Sequence, residues 1–593
     1  MSKRYIAIAS ALAFSLLSHA QNLNPTVQVT NAYDNRLMDI SKHSLQMAVP
    51  DSLLRFDWDF NYSVFDNPYK GAYEFNPYII DIKPEASAYD GKRLLLSAGV
   101  GYTIHPEARL YWNPVLKKRL KLAVYDEYGG YWGPYSGISW ESSYGGNYSF
   151  KKDGSYTGYD LTNILGTSLR YDAKSSVLSL DARASYLASA GEGLFHYLMR
   201  GHSAFSADAV LGLKSNAPES PFDYDLSVSG SSLLDHMSWD DKASELSLAA
   251  SAKAGFALGG RQKLGMSADV SGMKYIEQSG SSSRSFGIGV VSMNFTPSYT
   301  FKTDRFEVTG GATLSKVIQS ADYERVVPEG KEAFKPRLFY PYAHLSLEMI
   351  EDALVLFADI RGGQRFNSYS SYLNADHWFD NYGSGMFLDG LADVTMTSYD
   401  ASLGFSGRIG HRLQFKLDGG YAKLKNAPME GVQLVSEGKF MHCYEMTDYN
   451  LAYADINAAW GSERFDLKLD ANLRKAFFNE YSNAAGLPLV SGSFDMKYNW
   501  NRRVFAGLSL DWASGRTATH RMLDGLPEGA EKSLDYECFI PAWADLGLSA
   551  EYRFKKLFSL WVKGGNLLNS DVRRNLMVAE TKPYFTLGIC LNL

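Results

Sequence analysis

The chain reads as an all-β protein: a transmembrane antiparallel up-and-down β-barrel of about 22 strands, with a short N-terminal segment in or under the lumen. Three observations predict it. Apolar and polar side chains alternate with a period of two along segment after segment, the gaps between segments alternate short and long, and the last segment keeps alternating to the final residue. Residues 463–475 give the cleanest unit. Phe465, Leu467, Leu469, Ala471 and Leu473 share one face, and Arg464, Asp466, Lys468, Asp470, Asn472 and Arg474 the other. The pattern recurs from residue 93 onward with no helical period.

At the start, Ser2-Lys3-Arg4, an apolar run over residues 5–17 and Ser18-His19-Ala20 read as a secretory signal peptide, residues 1–20. That run is too short to span a bilayer as a helix, and no later stretch is apolar enough. Export without a helical anchor points to the outer membrane of a Gram-negative bacterium. Composition agrees: 39 Tyr, 32 Phe and 11 Trp suit interfacial girdles, and a net charge of −6 offers no basic footprint for nucleic acid. Cys443, Cys538 and Cys590 make no disulfide framework, although Cys443 and Cys538 both lie near predicted outer strand ends, which leaves a bridge open.

The barrel occupies residues 93–593. Its strands are expected to start near residues 93, 106, 118, 159, 176, 201, 221, 243, 263, 284, 304, 336, 353, 393, 411, 443, 463, 488, 502, 539, 556 and 582. Gaps after even-numbered strands are short, such as 258–262, 351–352 and 500–501. Those after odd-numbered strands are mostly long, such as 130–158, 364–392, 425–442 and 567–581, with a tight exception near 103–106. Short periplasmic turns, long outer loops and two periplasmic termini are what this parity predicts.

Energetics choose the lipid face. Reversing strand 463–475 would point three basic and two acidic residues at hydrocarbon, a penalty on the order of 10 kcal/mol. Leu246, Leu248, Ala250, Ala252 and Phe256 set the same register against Ser247, Ser251 and Lys253. Inward charges of both signs should pair. The closing strand carries Phe585, Leu587, Ile589, Leu591 and Leu593 outward, because an open edge in lipid would leave backbone groups unsatisfied. It is similar to the C-terminal signal read by the barrel-assembly machinery, with Leu593 where that signal most often has Phe.

Residues 561–570, Trp-Val-Lys-Gly-Gly-Asn-Leu-Leu-Asn-Ser, resemble the penultimate strand and turn of TonB-dependent outer-membrane receptors. Asn566, Leu567, Leu568 and Asn569 match the turn, with Leu568 where the family usually has Phe. The resemblance implies a 22-stranded barrel holding a plug, uptake of a solute and coupling to TonB. The chain departs from it in the plug: residues 21–92 are an N-terminal extension, shorter than a family plug. Asn24 to Thr30 is faintly similar to a TonB-pairing segment, but without a plug to pull on that likeness carries little. Within the extension Phe56, Trp58, Phe60 and Tyr62 alternate with Arg55, Asp57, Asp59 and Asn61, and are expected to pack on the inner wall and narrow the lumen.

No G-x-S-x-G, H-E-x-x-H or phosphate-binding glycine loop occurs, so no residue is assigned a catalytic role and no cofactor is called for. Met441, His442, Cys443 and Met446 offer soft donors, but successive strand residues face opposite ways, so no metal site is assigned. Aromatic residues crowd the outer loops. Trp132, Tyr135, Trp140, Trp378 and Phe379 are candidates for contacting a sugar or a protein partner, or for packing the loops together. Two functions remain: uptake, or a non-transporting barrel serving as scaffold for a lipoprotein or periplasmic partner in an outer-membrane complex.

Overall fold

The final strand, Tyr584–Asn592, pairs with the first, Leu94–Tyr102, from Leu95↔Asn592 to Tyr102↔Phe585. The Leu593 carbonyl accepts from the Arg93 and Leu94 amides, and its own amide donates to the Leu94 carbonyl. The sheet therefore closes on itself. This computed structural model describes residues 93–593 other than 115–118, 143–147, 192–200, 217–219, 238–240, 279–284, 320–336, 352, 379–393, 411, 437–438, 479–485, 523–535, 555–556, 575–578 and 581. Phe56, Trp58, Phe60, Tyr62, Phe379 and the signal peptide lie outside the described residues.

Of 25 described strands, three (Arg516–Met522, Tyr536–Ile540 and Ala579–Glu580) stand outside the wall, and the other 22 each pair with the next to form a closed antiparallel barrel. Their starts fall within four residues of expectation, except that the fourth begins at Tyr148 rather than near 159. Gaps after even-numbered wall strands are short, from two to seven residues, whereas those after odd-numbered strands are long only in part, as at 320–338, 367–393, 514–542 and 566–583, and short at 103–106, 143–147, 238–241 and 437–438. At the short-turn end, Asn501 and Arg502 carry φ of 51° and 56°, and the Arg503 amide donates to the Trp500 carbonyl at 3.1 Å. Two successive positive φ values define a type I′ turn, whose twist suits a two-residue hairpin.

Outward side chains form the apolar belt. Phe585 and Leu587 are 55% and 58% exposed, whereas the intervening Thr586 is fully buried toward the lumen. Among the described residues no helix is long and apolar enough to cross a membrane; this wall crosses by strands. Inward charges pair as expected, with Lys468–Asp470 and Arg474–Asp455 each at 2.6 Å.

Three expectations need correction. Residues 130–158 and 425–442 are mostly not loops. Leu120–Ser142 with Tyr148–Asp172, and Leu413–Ser436 with Lys439–Gly461, are ladders of 23 to 25 residues per strand. A crossing needs about 9–11 residues, so both hairpins rise well beyond the wall. Second, among the described residues one helix is present, Tyr369–Ala375, in the loop between the thirteenth and fourteenth strands. Seven residues are too few to leave a helical period in the sequence. Third, Cys443 and Cys538 cannot bridge. Cys443 is level with Gly431, Gly431 with Thr519, and the next strand carries Cys538, so about 14 Å separates their backbones.

The same pairings build a second sheet above the wall. Gly431–Leu434 runs parallel to Thr519–Met522, Arg516–His520 is antiparallel to Tyr536–Ile540, and Cys538 and Phe539 pair with Tyr148 and Ser149. The fourth and fifteenth strands stand eleven places apart, half of a 22-strand circumference. Such a wall is roughly 45 Å across, yet this ladder joins the two hairpins through three strand spacings. Both must lean over the mouth and form a roof. Ladder irregularities at Ser136/Ile138 and Leu424/Ala427 sit at their feet, where a bulge bends a strand.

At the closure, the Trp561 ring lies inward across its neighbours. A Cβ added to Gly588 or Gly99 would sit 2.2 or 2.4 Å from it, and its Nε1 donates to Ser97 Oγ at 3.0 Å.

Candidate functional site

The mouth at the long-loop end is narrowed by the barrel's own loops. After Phe366 the chain turns inward and crosses the lumen as a strap, residues 367–378. Its helix starts with reciprocal serine caps: the Ser371 amide donates to Ser368 Oγ and the Ser368 amide to Ser371 Oγ, each at 3.2 Å. Tyr369 is fully buried and its hydroxyl donates to Asp235 Oδ2 at 2.7 Å. His202 Nδ1 meets the same oxygen at 2.7 Å. Ser370 donates from its hydroxyl to Glu245 at 2.6 Å. Tyr369, Tyr372 and Leu373 pack on Leu187, Leu233, Met237, Met273, Tyr275 and Val290.

Beyond the helix the strap reaches the far wall. His377 Nδ1 bonds Asp160 at 2.8 Å, Ser189 Oγ donates to the His377 carbonyl at 2.6 Å, and Trp378 meets Tyr135 edge-on with ring centroids 5.4 Å apart. Burial opposes a charge on His377, but the Asp160 carboxylate outweighs it and raises the imidazole above the usual histidine range. Tyr372 also contacts Tyr444 of the sixteenth strand at 4.7 Å.

The other half of the mouth is polar. The Asn-Leu-Leu-Asn turn places Asn566 and Asn569 at φ of 46° and 51°, a conformation asparagine tolerates. Asn566 Oδ1 accepts from the Ser570 amide at 2.9 Å, and its own amide donates to Asp545 at 2.8 Å. This carries Arg574 inward, where its guanidinium lies 2.8 Å from Asp545, 3.4 Å from Asp511 and 3.5 Å from Glu580. Arg516 donates to the Arg574 carbonyl at 3.1 Å, tying the roof to this loop. His105 stacks on Tyr584 at 3.6 Å, and burial first, then the Lys563 charge, lower its pKa to about 4 against the pull of the Thr103 carbonyl. Between these groups lies a cavity of about 280 Å³, lined by Glu127, Asp160, Lys497, Asp511, Lys563 and Arg574 together with Tyr131, Tyr135 and Trp378.

The structure thus brings Tyr135 and Trp378 together, both buried, with Tyr131. It leaves Trp132 half exposed beside Tyr159, 6.0 Å between rings, and sets Trp140 opposite Phe150 on the rising hairpin. Sequence reasoning missed the strap and the Arg574 hub. A signal for the strap existed. Leu233-Leu234, Tyr275-Ile276 and Val290-Val291 are apolar on both faces near the long-loop end, which a purely wet lumen would not need. Among the described residues no group of three His, Cys, Asp or Glu converges to hold a metal.

A closed 22-strand wall with an apolar belt and a mouth narrowed by its own loops defines a large transmembrane β-barrel. Among solved structures the chain is similar to the copper transporter OprC, at 11% identity over 85% of this chain and 80% of that one, with a TM-score of 0.56. It is also similar to the ferric-catecholate import receptor Fiu from E. coli K12 in its closed form (10%; 85% and 82%; 0.58). A third is the pyoverdine receptor FpvA of Pseudomonas aeruginosa PAO1 bound to pyoverdine (10%; 85% and 78%; 0.59). At such identities the likeness is one of fold: the wall is a TonB-dependent-receptor barrel in architecture. No protein-family profile matches the sequence. Neither does any curated protein.

Proposed function

We propose that this protein sits in the outer membrane with its long loops outward and both barrel ends periplasmic, and takes part in uptake of a solute through a receptor-type barrel. The observation that carries this is the fold itself, a 22-strand wall shared with a copper transporter and siderophore receptors. Trp132, Trp140 and Phe379 are offered as contacts for an arriving solute or partner. Phe56, Trp58, Phe60 and Tyr62 are offered as inner-wall contacts of the extension 21–92. The residues from Phe585 to Leu593 are offered as the signal for barrel assembly.

Affinity isolation from gently solubilised outer membranes tests the reading: a lone barrel carrying a bound solute supports uptake. A second reading, a non-transporting scaffold for a lipoprotein or periplasmic protein, is favoured by the strap, whose aromatic side chains are buried against the wall rather than held by polar contacts alone. A stoichiometric protein partner in the same experiment would replace uptake with that role. Deleting residues 21–90 and recording single-channel current tests the extension; unchanged current removes it as a lumen contact.

A further inference from the structure

We propose that the polar half of the mouth opens along one line, the parallel seam where Cys538 and Phe539 meet Tyr148 and Ser149, with the strand pair Arg516–Met522 and Tyr536–Ile540 swinging as a flap. This deepens the uptake reading by naming the way in.

The roof joins opposite walls through three ladders of unequal strength. Arg516–His520 pairs with Tyr536–Ile540 over five residues, antiparallel, and Thr519–Met522 pairs with Gly431–Leu434 over four. The third ladder, against the fourth strand, has two residues and is parallel. Two of the three ladders are parallel, a pairing slightly weaker per residue, and of those two the seam with the fourth strand is half as long, so it is the one that yields. Parting it leaves every other pairing in place. Tyr148 and Ser149 keep their antiparallel partners Ser142 and Glu141, and the flap keeps Gly431–Leu434. The ladder irregularity at Ser136/Ile138 gives the rising hairpin a place to bend, directly above Tyr135, which Trp378 holds in position. The strap therefore stays shut while the flap moves. The base of the flap bears on the Arg574 carbonyl through Arg516, so the space it uncovers is the cavity between Arg574, Asp160 and Lys563.

The seam carries its own lock site. Cys538 faces Tyr148 in register, and neighbouring strand backbones lie about 4.8 Å apart, inside the range a disulfide spans. In full-length protein with Cys443→Ser and Cys590→Ser, Ser549→Cys places a reporter thiol on the cavity wall. One variant adds Tyr148→Cys and is oxidised; the other keeps Tyr148 and carries Cys538→Ser. Intact cells are then treated with a polyethylene-glycol maleimide. The expected result is labelling of position 549 in the unlocked variant, slowed about tenfold or more in the oxidised one and restored by reduction. Equal rates in both, no labelling in either, or failure of the 148–538 disulfide to form would each overturn the flap. Because the readout is access and not transport, a labelled barrel that carries no solute would refute uptake while leaving the flap standing.

Discussion

From the fifth to the tenth wall strand, the inward side chains near the mouth include Leu187, Leu233, Met237, Met273, Tyr275 and Val290, and the strap lies on them. On the opposite arc the corresponding lining is Asp511, Asp545, Lys563 and Arg574, with a cavity between them and Asp160 of the fourth strand. Both halves are closed by loops, but through different forces. Burying a side chain such as Leu373 contributes about 1.5–3 kcal/mol and is indifferent to salt. A partly exposed ion pair gains far less and weakens as salt rises. The apolar half is thus held by buried area, and the polar half by charge pairs that salt can weaken.

Substitutions can break that contrast. The largest effect is expected from Tyr369→Ala, which empties a buried site and strips Asp235 of a donor. It should weaken strap docking by about 3–5 kcal/mol, read as faster amide exchange over residues 369–378 and unchanged exchange around Asn566 and Ser570. Equal acceleration in both loops would mean the halves are one cooperative unit. Next comes Arg574→Met, which leaves Asp511, Asp545 and Glu580 without their shared cation. A loss of about 2–3 kcal/mol should appear in residues 566–574 and shrink in high salt, with the strap untouched. The smallest is His377→Gln, about 1 kcal/mol. Asp160 and Asp376 raise the His377 pKa, so its contribution is fully present below the usual histidine value and is lost as pH rises through the raised one. Wild type and variant should differ in strap exchange at pH 6 and converge at high pH; a difference that does not change with pH would mean that the neutral imidazole holds Asp160, and no difference at any pH would assign the strap's grip to Ser189 and Trp378.

The wall was legible from residues such as Phe465 to Arg474 because lipid on one side and a polar lumen on the other enforce period two, and because parity follows from up-and-down topology. Closure was legible from Phe585 to Leu593 for the same reason. The mouth was not. Tyr369–Ala375 is under two turns long, so no periodicity could accumulate. The roof depends on Gly431 meeting Thr519 and Cys538 meeting Tyr148, pairings between distant segments that no local pattern encodes. Tyr135 and Trp378 are candidates in the sequence either for contacting a ligand or for packing the loops together; they meet where the strap joins the wall, and both also line the cavity.

The indole of Trp561 bears on what must happen before any of this exists. It covers glycines from the last and first strands and donates to a hydroxyl 464 positions away in the chain. So wide a separation makes the contact slow to form, and the half of its seat made by Gly99 and Ser97 is missing until the terminal edges have met. The ring acts as a keystone: set last, it marks the step at which an open, aggregation-prone ribbon becomes a finished vessel.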